Sequence, residues 1–234
     1  MLYGIDVSNW QGAVDWGDHA DDGVAFAFAK ATEGSTFVDR WFDRNWNGMR
    51  ENWIVCGAYH FARPAGDPEE QARCFLRTVQ RAGGLHHGDL LALDLETSDR
   101  LPAPKVARFA RRWCRAVTAQ AGVRPVIYTF LTFAYGGNCA GLEDYPLWIA
   151  APGNPTGRPD VPGPWNRWTI HQYAHKPLDR NVFHGTRAEL TSLGYRRRHG
   201  ANRHGAGRHG VDGHRAEKHR GEKHRAGKRR GGHR

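Results

Sequence analysis

Seven short apolar segments, spaced by stretches of helical character, constrain this chain more than any other feature. GIDVS (4–8), FAFAK (26–30), VCGAYHF (55–61), LLALDLE (90–96), RPVIYTF (124–130), PLWIA (146–150) and WTIHQYA (168–174) have the length and composition of strands. Two of the intervening helices are sharply marked. Asp67 is placed to cap the first, Pro68 suits its first position, and Glu69 and Glu70 suit the positive end of its dipole. Its apolar face runs Ala72, Phe75, Leu76, Val79, and Gly83-Gly84 ends it. The second follows Pro104, carries Val106, Phe109, Ala110, Trp113 and Val117 at helical spacing, and ends at Gly122. A looser helix at about 40–52 carries Trp41, Phe42, Trp46 and Met49. Strand–helix alternation predicts an α/β fold with a parallel sheet and helices outside it. Beyond residue 130 the alternation fails, and Pro152, Pro155, Pro159, Pro162 and Pro164 leave no room for a full helix. The expectation is a TIM-barrel-like β/α barrel, regular in its first half and irregular in its second.

In such barrels the strand C-termini converge on the site. LLALDLE ends in two carboxylates, Asp94 and Glu96, one residue apart. Residues i and i+2 of a strand face the same side, so the two acids point together. Crowded carboxylates at the end of an apolar strand cannot both ionise cheaply. A helix cap or a surface ion pair would also explain acids here; a pair for general acid and stabiliser work on a glycosidic bond explains their crowding as well. In GIDVS, Asp6 faces the barrel axis if Ile5 and Val7 pack outward. Asp179 is read as a loop residue after Pro177, and Lys30 and Glu33 as a supporting pair.

The net charge of +10 is unevenly placed. Residues 196–234 hold 14 Lys or Arg against 3 acids, leaving 20 bases against 21 acids in the rest. His199, His204, His209, His214, His219 and His224 recur every five residues in units such as NRHGA and EKHRG. A repeat with so little to bury cannot offset its ordering entropy, so this basic tail is expected to be disordered. Cys56, Cys74, Cys114 and Cys139 lack metal-site spacing and are read mostly as small buried hydrophobes, with one disulfide left open. His60 and His171 lack the partners of a ligand set, so no metal is expected. No segment approaches the ~20 apolar residues of a membrane span, and MLYGIDVSNWQG has no leader pattern, so the expectation is either release by a separate route, phage-type or an unusual export, or a leader missing from this sequence.

GIDVSNWQG, FAFAKATEGSTFVD (26–39), GAYHFARP (57–64), LALDLE (91–96), VIYT (126–129), PLWIA (146–150) and the closing QY with LDRNVFHG (178–185) resemble the family 25 glycoside hydrolases, the Chalaropsis-type lysozymes that include phage endolysins. The resemblance covers about residues 3–186 in order. It implies a flattened, incomplete β/α barrel over residues 1–190, followed by the tail at 191–234. It also implies cleavage of the β-1,4 bond between N-acetylmuramic acid and N-acetylglucosamine in peptidoglycan, with no cofactor. The implied acids are Asp6, Asp94, Glu96 and Asp179. By that pattern Glu96 protonates the leaving oxygen, Asp94 supports attack by the substrate's acetamido group, and Asp6 and Asp179 tune the pair.

Sugar faces stack on aromatic rings while their hydroxyls take hydrogen bonds. Tyr59, Tyr128 and Trp148 are the preferred candidates, with Phe61, Tyr173 and Gln172 behind them. Each is also a reasonable core residue. His171 stands where family members commonly carry Trp, which leaves one cleft wall open. The expected partners are peptidoglycan glycan strands, met as a monomer at the wall outside the cell. The tail adds anionic wall polymers through its charge; specific nucleic-acid reading is not expected, since the tail has no rigid helix or stacking platform. The alternatives are a non-catalytic wall-carbohydrate binder and a cationic envelope- or nucleic-acid-binding protein.

Overall fold

A computed structural model describes residues 1–196; of the tail expected at 191–234, residues 191–196 belong to the folded unit and those from 197 onward lie outside the described residues. The strands are β1 (Leu2–Val7), β2 (Phe26–Glu33), β3 (Phe37–Val38), β4 (Val55–Phe61), β5 (Leu90–Asp94), β6 (Val126–Phe130), β7 (Leu147–Ala150), β8 (Ile170–Ala174) and β9 (Asp179–Phe183). The helices are α1 (Trp16–Asp21), α2 (Phe42–Glu51), α3 (Pro68–Arg81), α4 (Ala103–Ala121), α5 (Leu131–Phe133) running into a π-helical turn (Ala134–Asn138), and α6 (Arg187–Ser192). Eight strands close into a ring, β1-β9-β8-β7-β6-β5-β4-β2, completed by β1 against β2, while β3 lies outside on the end of β2. Within the ring β9 runs antiparallel to both neighbours, and the other pairings are parallel.

Local chemistry sets the helix ends. The Asp67 carboxylate accepts from the Glu70 N–H at 2.8 Å and starts α3. Gly122, at φ +69°, ends α4 in the left-handed conformation that glycine adopts without strain. As expected, the helical layer thins after β6: only α5 and the π turn precede β7, and no helix separates β7 from β8. Asp179 departs from the expectation. It opens β9 rather than a loop, so the polar stretch after Pro177 is a barrel strand.

Strand alternation sorts the core into two layers. Ile5, Val7, Ala27, Ala29, Leu91 and Leu93 face outward onto Phe42, Trp46, Phe75, Val106 and Trp113 of the helices. Phe26, Phe28, Leu90, Ala92, Val126, Trp148, Ile170 and Phe183 face inward and fill the barrel. Gly4 and Gly57 make room for the inner rings, since a Cβ at either would collide with Phe26 or Phe28. Leu190 of α6 joins the inner cluster and plugs the end where the parallel strands begin. The chain stays tied beyond α6: Tyr195 N–H donates to Asp89 O at 2.8 Å, and Gly88 N–H to Tyr195 O at 2.9 Å. The four cysteines are buried free thiols. No helix among the described residues is long and apolar enough to cross a membrane.

Candidate active site

At the C-terminal ends of the parallel strands, the inward alternation that places Phe26 and Phe28, Leu90 and Ala92, and Ile170 continues into Lys30, Asp94 and Gln172. The barrel floor is therefore apolar and its mouth ionisable. Asp6 and Asp179 are direct cross-strand partners on β1 and β9, a pairing that sets Cα atoms about 4.5–5.5 Å apart. The extended pattern of β5 runs one residue past its end, because Leu95 N–H donates to Tyr128 O at 2.9 Å and Leu95 is buried outward. Glu96 consequently follows Asp94 on the inner side. All four sequence-predicted acids share the mouth.

Crowding raises every one of them. Burial, then the charges of Asp179 and Glu96, lift Asp6 to about 7, against donated hydrogen bonds from Asn181 and Gln172. Burial and Glu96 hold Asp94 well above the usual carboxylate range, with Lys30 pulling the other way. Burial raises Glu96, Lys30 again opposing and Asp179 adding to the rise. Asp179 is raised by burial, and His175 counters it. Such a site keeps protons on carboxyl groups at pH values where exposed acids have lost them, as a general acid requires.

Hydrogen bonds hold the acids very unequally. Asp6 Oδ2 accepts from Gln172 Nε2 at 2.8 Å and from Asn181 Nδ2 at 2.7 Å. Those amides are themselves held, Gln172 Oε1 by the Tyr128 hydroxyl at 3.1 Å and Asn181 Oδ1 by Trp148 Nε1 at 2.7 Å. Asp94 Oδ1, by contrast, is buried without a hydrogen-bond partner. Lys30 reaches Glu33 at 2.8 Å; Glu33 lies 3.6 Å from Arg63, and Arg63 2.9 Å from Asp99. This charged chain links the ends of β2 and β4 to the loop that follows Glu96. In that loop Asp99 and Arg100 have φ of +47° and +65°, left-handed backbone that is unfavourable for residues bearing a Cβ.

The aromatic candidates divide by depth and by face. Tyr59 and Tyr128 are half-buried beside the acids, and burial, with the acids' negative charge added, raises both phenols. Phe61 is half-buried and pairs with Asp94 in register, with Lys30 Nζ 4.8 Å from its ring centre. Gln172 faces inward and binds Asp6 rather than standing free. Trp148 is 2% exposed, stacked on Phe28 at 4.4 Å and edge-on to Tyr128 at 4.8 Å. Its ring has no face left for a sugar; it supports the site from below through Asn181. Tyr173 follows Gln172 and so turns the other way, its ring beside that of His171 at 6.3 Å. The wall left open at His171 is thereby defined: its Nδ1 accepts from Gly157 N–H at 3.1 Å, and its Nε2 donates to Ala151 O at 3.0 Å. It pins the proline-rich loop. His60 is equally committed, between Thr32 at 2.8 Å and Gln71 at 3.0 Å and stacked on Trp113, and burial lowers it to about 4. Among the described residues no cluster of three His, Cys, Asp or Glu is arranged to hold a metal.

Asn181 was not singled out from sequence, although counting two residues from Asp179 places it on the same face. The family model for "Glycosyl hydrolases family 25" matches residues 5–182. Protein YegX of Escherichia coli K12 is 39% identical over 207 residues, covering 82% of this chain and 73% of its own. Lysozyme M1 of Streptomyces globisporus is 31% identical over 216 residues, covering 82% and 71%. The muramidase structure from Acremonium alcalophilum superposes with a TM-score of 0.75 at 31% identity, over 82% of this chain and 98% of that one. A family match across almost the whole barrel, joined to a mouth ringed by the four acids, settles the lineage: this chain belongs to the glycosyl hydrolases family 25.

Proposed function

We propose that the chain is a peptidoglycan muramidase, cleaving the β-1,4 bond from N-acetylmuramic acid to N-acetylglucosamine. The relatives named lysozyme and muramidase support the activity. The observation that carries the chemistry is Asp94 Oδ1, a buried carboxylate oxygen with no partner at the centre of the acid cluster. Buried acceptors are ordinarily satisfied, and the N–H of a 2-acetamido group is a donor of the right kind. With that N–H held, the acetamido oxygen attacks the anomeric carbon while Glu96 gives its proton to the departing oxygen. Glu96, then a carboxylate, takes a proton from the water that opens the cyclic intermediate. Asp6 and Asp179 act on proton affinity, and Tyr59, Tyr128 and Phe61 flank the sugar. The enzyme works as a monomer on glycan strands of the wall, outside the cytoplasm. Its tail, 14 bases against 3 acids, adds salt-sensitive adhesion to anionic wall polymers.

The test is reducing-end release from purified peptidoglycan by the full chain and by Glu96→Gln, with mass spectrometry of the products. Muropeptides ending in reducing N-acetylmuramic acid, lost in Glu96→Gln, are expected. Release that persists in the variant would remove Glu96 as proton donor. A product of inverted anomeric configuration would overturn the acetamido step alone.

A further inference from the structure

Most large apolar side chains of the described residues are buried, yet Trp10 is 85% exposed. It stands four residues after Asp6, in the loop that leaves the C-terminal end of β1, within ~14 Å of chain from the acid cluster. Its backbone is fixed. Ser8 N–H donates to Gln11 Oε1 at 2.8 Å, Gln11 N–H to Ser8 O at 3.2 Å, and Gly12 N–H to Asn9 O at 3.3 Å. Gly12, at φ +65°, completes the turn in a conformation suited to glycine. Asp39, itself 2% exposed, then ties this turn to the neighbouring hairpin: its Oδ2 accepts Asn9 N–H at 2.7 Å, and its own N–H donates to Ala31 O at 3.0 Å.

That hairpin carries Phe37 and Val38, which are 44% and 47% exposed. The Phe37 ring lies 5.5 Å from Lys30 Nζ, the cation whose charge acts on Asp94 and Glu96. Hydrogen bonds and one cation–π contact thus tie the Trp10 turn and the Phe37 hairpin to each other and to Lys30 beside the acids. An exposed aromatic on a braced turn, at the same end of the barrel as the acids, has the character of a recognition surface.

We infer that Trp10, with Phe37 and Val38 beside it, is a shelf for sugar rings of the same glycan strand beyond the cleaved pair. The inference rests on the muramidase reading. The indole offers a flat apolar face to the axial hydrogens of a pyranose while its edge stays in water. The shelf takes no part in bond cleavage, so its contribution is to the affinity of long strands.

The experiment compares the full chain with Trp10→Ala and Trp10→Phe on two substrates. One is the tetrasaccharide of alternating N-acetylglucosamine and N-acetylmuramic acid; the other is long glycan strands freed of peptide. Trp10→Ala is expected to raise KM on long strands about tenfold, the order of one lost aromatic stack, with kcat unchanged. On the tetrasaccharide it should match the wild type within about twofold, and Trp10→Phe should recover most of the loss. Equal loss on both substrates would overturn the shelf, as would no loss on either. Absence of wild-type cleavage on both substrates would instead sink the muramidase reading.

Discussion

Replacing Asp6 by Asn separates what the acid cluster does for proton transfer from what it costs the fold. Asp6 is 8% exposed and held at about 7, against an ordinary value of 3.8. Between those two pH values the folded protein keeps a proton on Asp6 that the unfolded chain has released. The native state therefore binds more protons in that window, and its stability falls as pH rises from about 4 to about 7. A gap of about 3 units at ~1.4 kcal/mol each sets a ceiling of about 4 kcal/mol. Asn has the same shape, accepts from Gln172 and Asn181 at the same place, and carries no charge to bury. Asp6→Asn is thus expected to gain at least ~1 kcal/mol at pH 8 and almost nothing at pH 4, while losing activity. Urea unfolding followed by tryptophan fluorescence at pH 4, 6 and 8 gives the difference curve, in which the slopes of the acids remote from Asp6 cancel. A variant less stable than wild type at pH 8, or a difference that does not change with pH, would refute the reasoning.

Two further substitutions probe the same mouth. Lys30→Met keeps the stem between Phe37 and Phe61 but removes the charge that opposes the rise of Asp94 and Glu96. Both acids should then hold protons to higher pH, so both limbs of the kcat/KM profile should move upward in pH; an unmoved profile would exclude this electrostatic role. Trp148→Ala should lower stability by about 3–5 kcal/mol, as expected for a core ring. A stable variant with only a raised KM would return Trp148 to the sugar.

The first half of the barrel was legible because its residues obey two periods at once. Asp67-Pro68 and Gly122 punctuate helices whose apolar stripes match Phe75 and Trp113 in the structure. The second half was harder for a physical reason. In β9 the inward residues include Asp179 and Asn181, so the usual apolar-in pattern is inverted where the barrel mouth must be polar. A site strand consequently reads as a loop. Alternation did carry unused information: Gln172 and Tyr173 are neighbours in β8 and cannot both face the cleft, and Asn181 lies two residues from Asp179. Depth along the barrel axis is a different matter. Trp148 pairs with Tyr128 in register, yet only packing against Phe28 shows that its ring fills the floor instead of lining the mouth.

How each carboxylate is held separates three of the acids on the proposed mechanism. Asp6 spends one oxygen on two amides whose other ends are fixed by Tyr128 and Trp148. It is therefore locked in place, and above about pH 7 it acts on its neighbours as a charge. Asp94 is as deeply buried, but one of its oxygens is unbound, so a substrate donor gains a full hydrogen bond there without displacing a protein partner. Glu96 lies beyond the strand end and is only half-buried, where a departing sugar and an arriving water can both reach it. Proton donation, substrate capture and electrostatic tuning thus follow from how each carboxylate is held. Because Lys30 bears on Asp94 and Glu96 together, its removal should shift their proton affinities in the same direction, whereas loss of the Asp6 charge should lower that of Asp94.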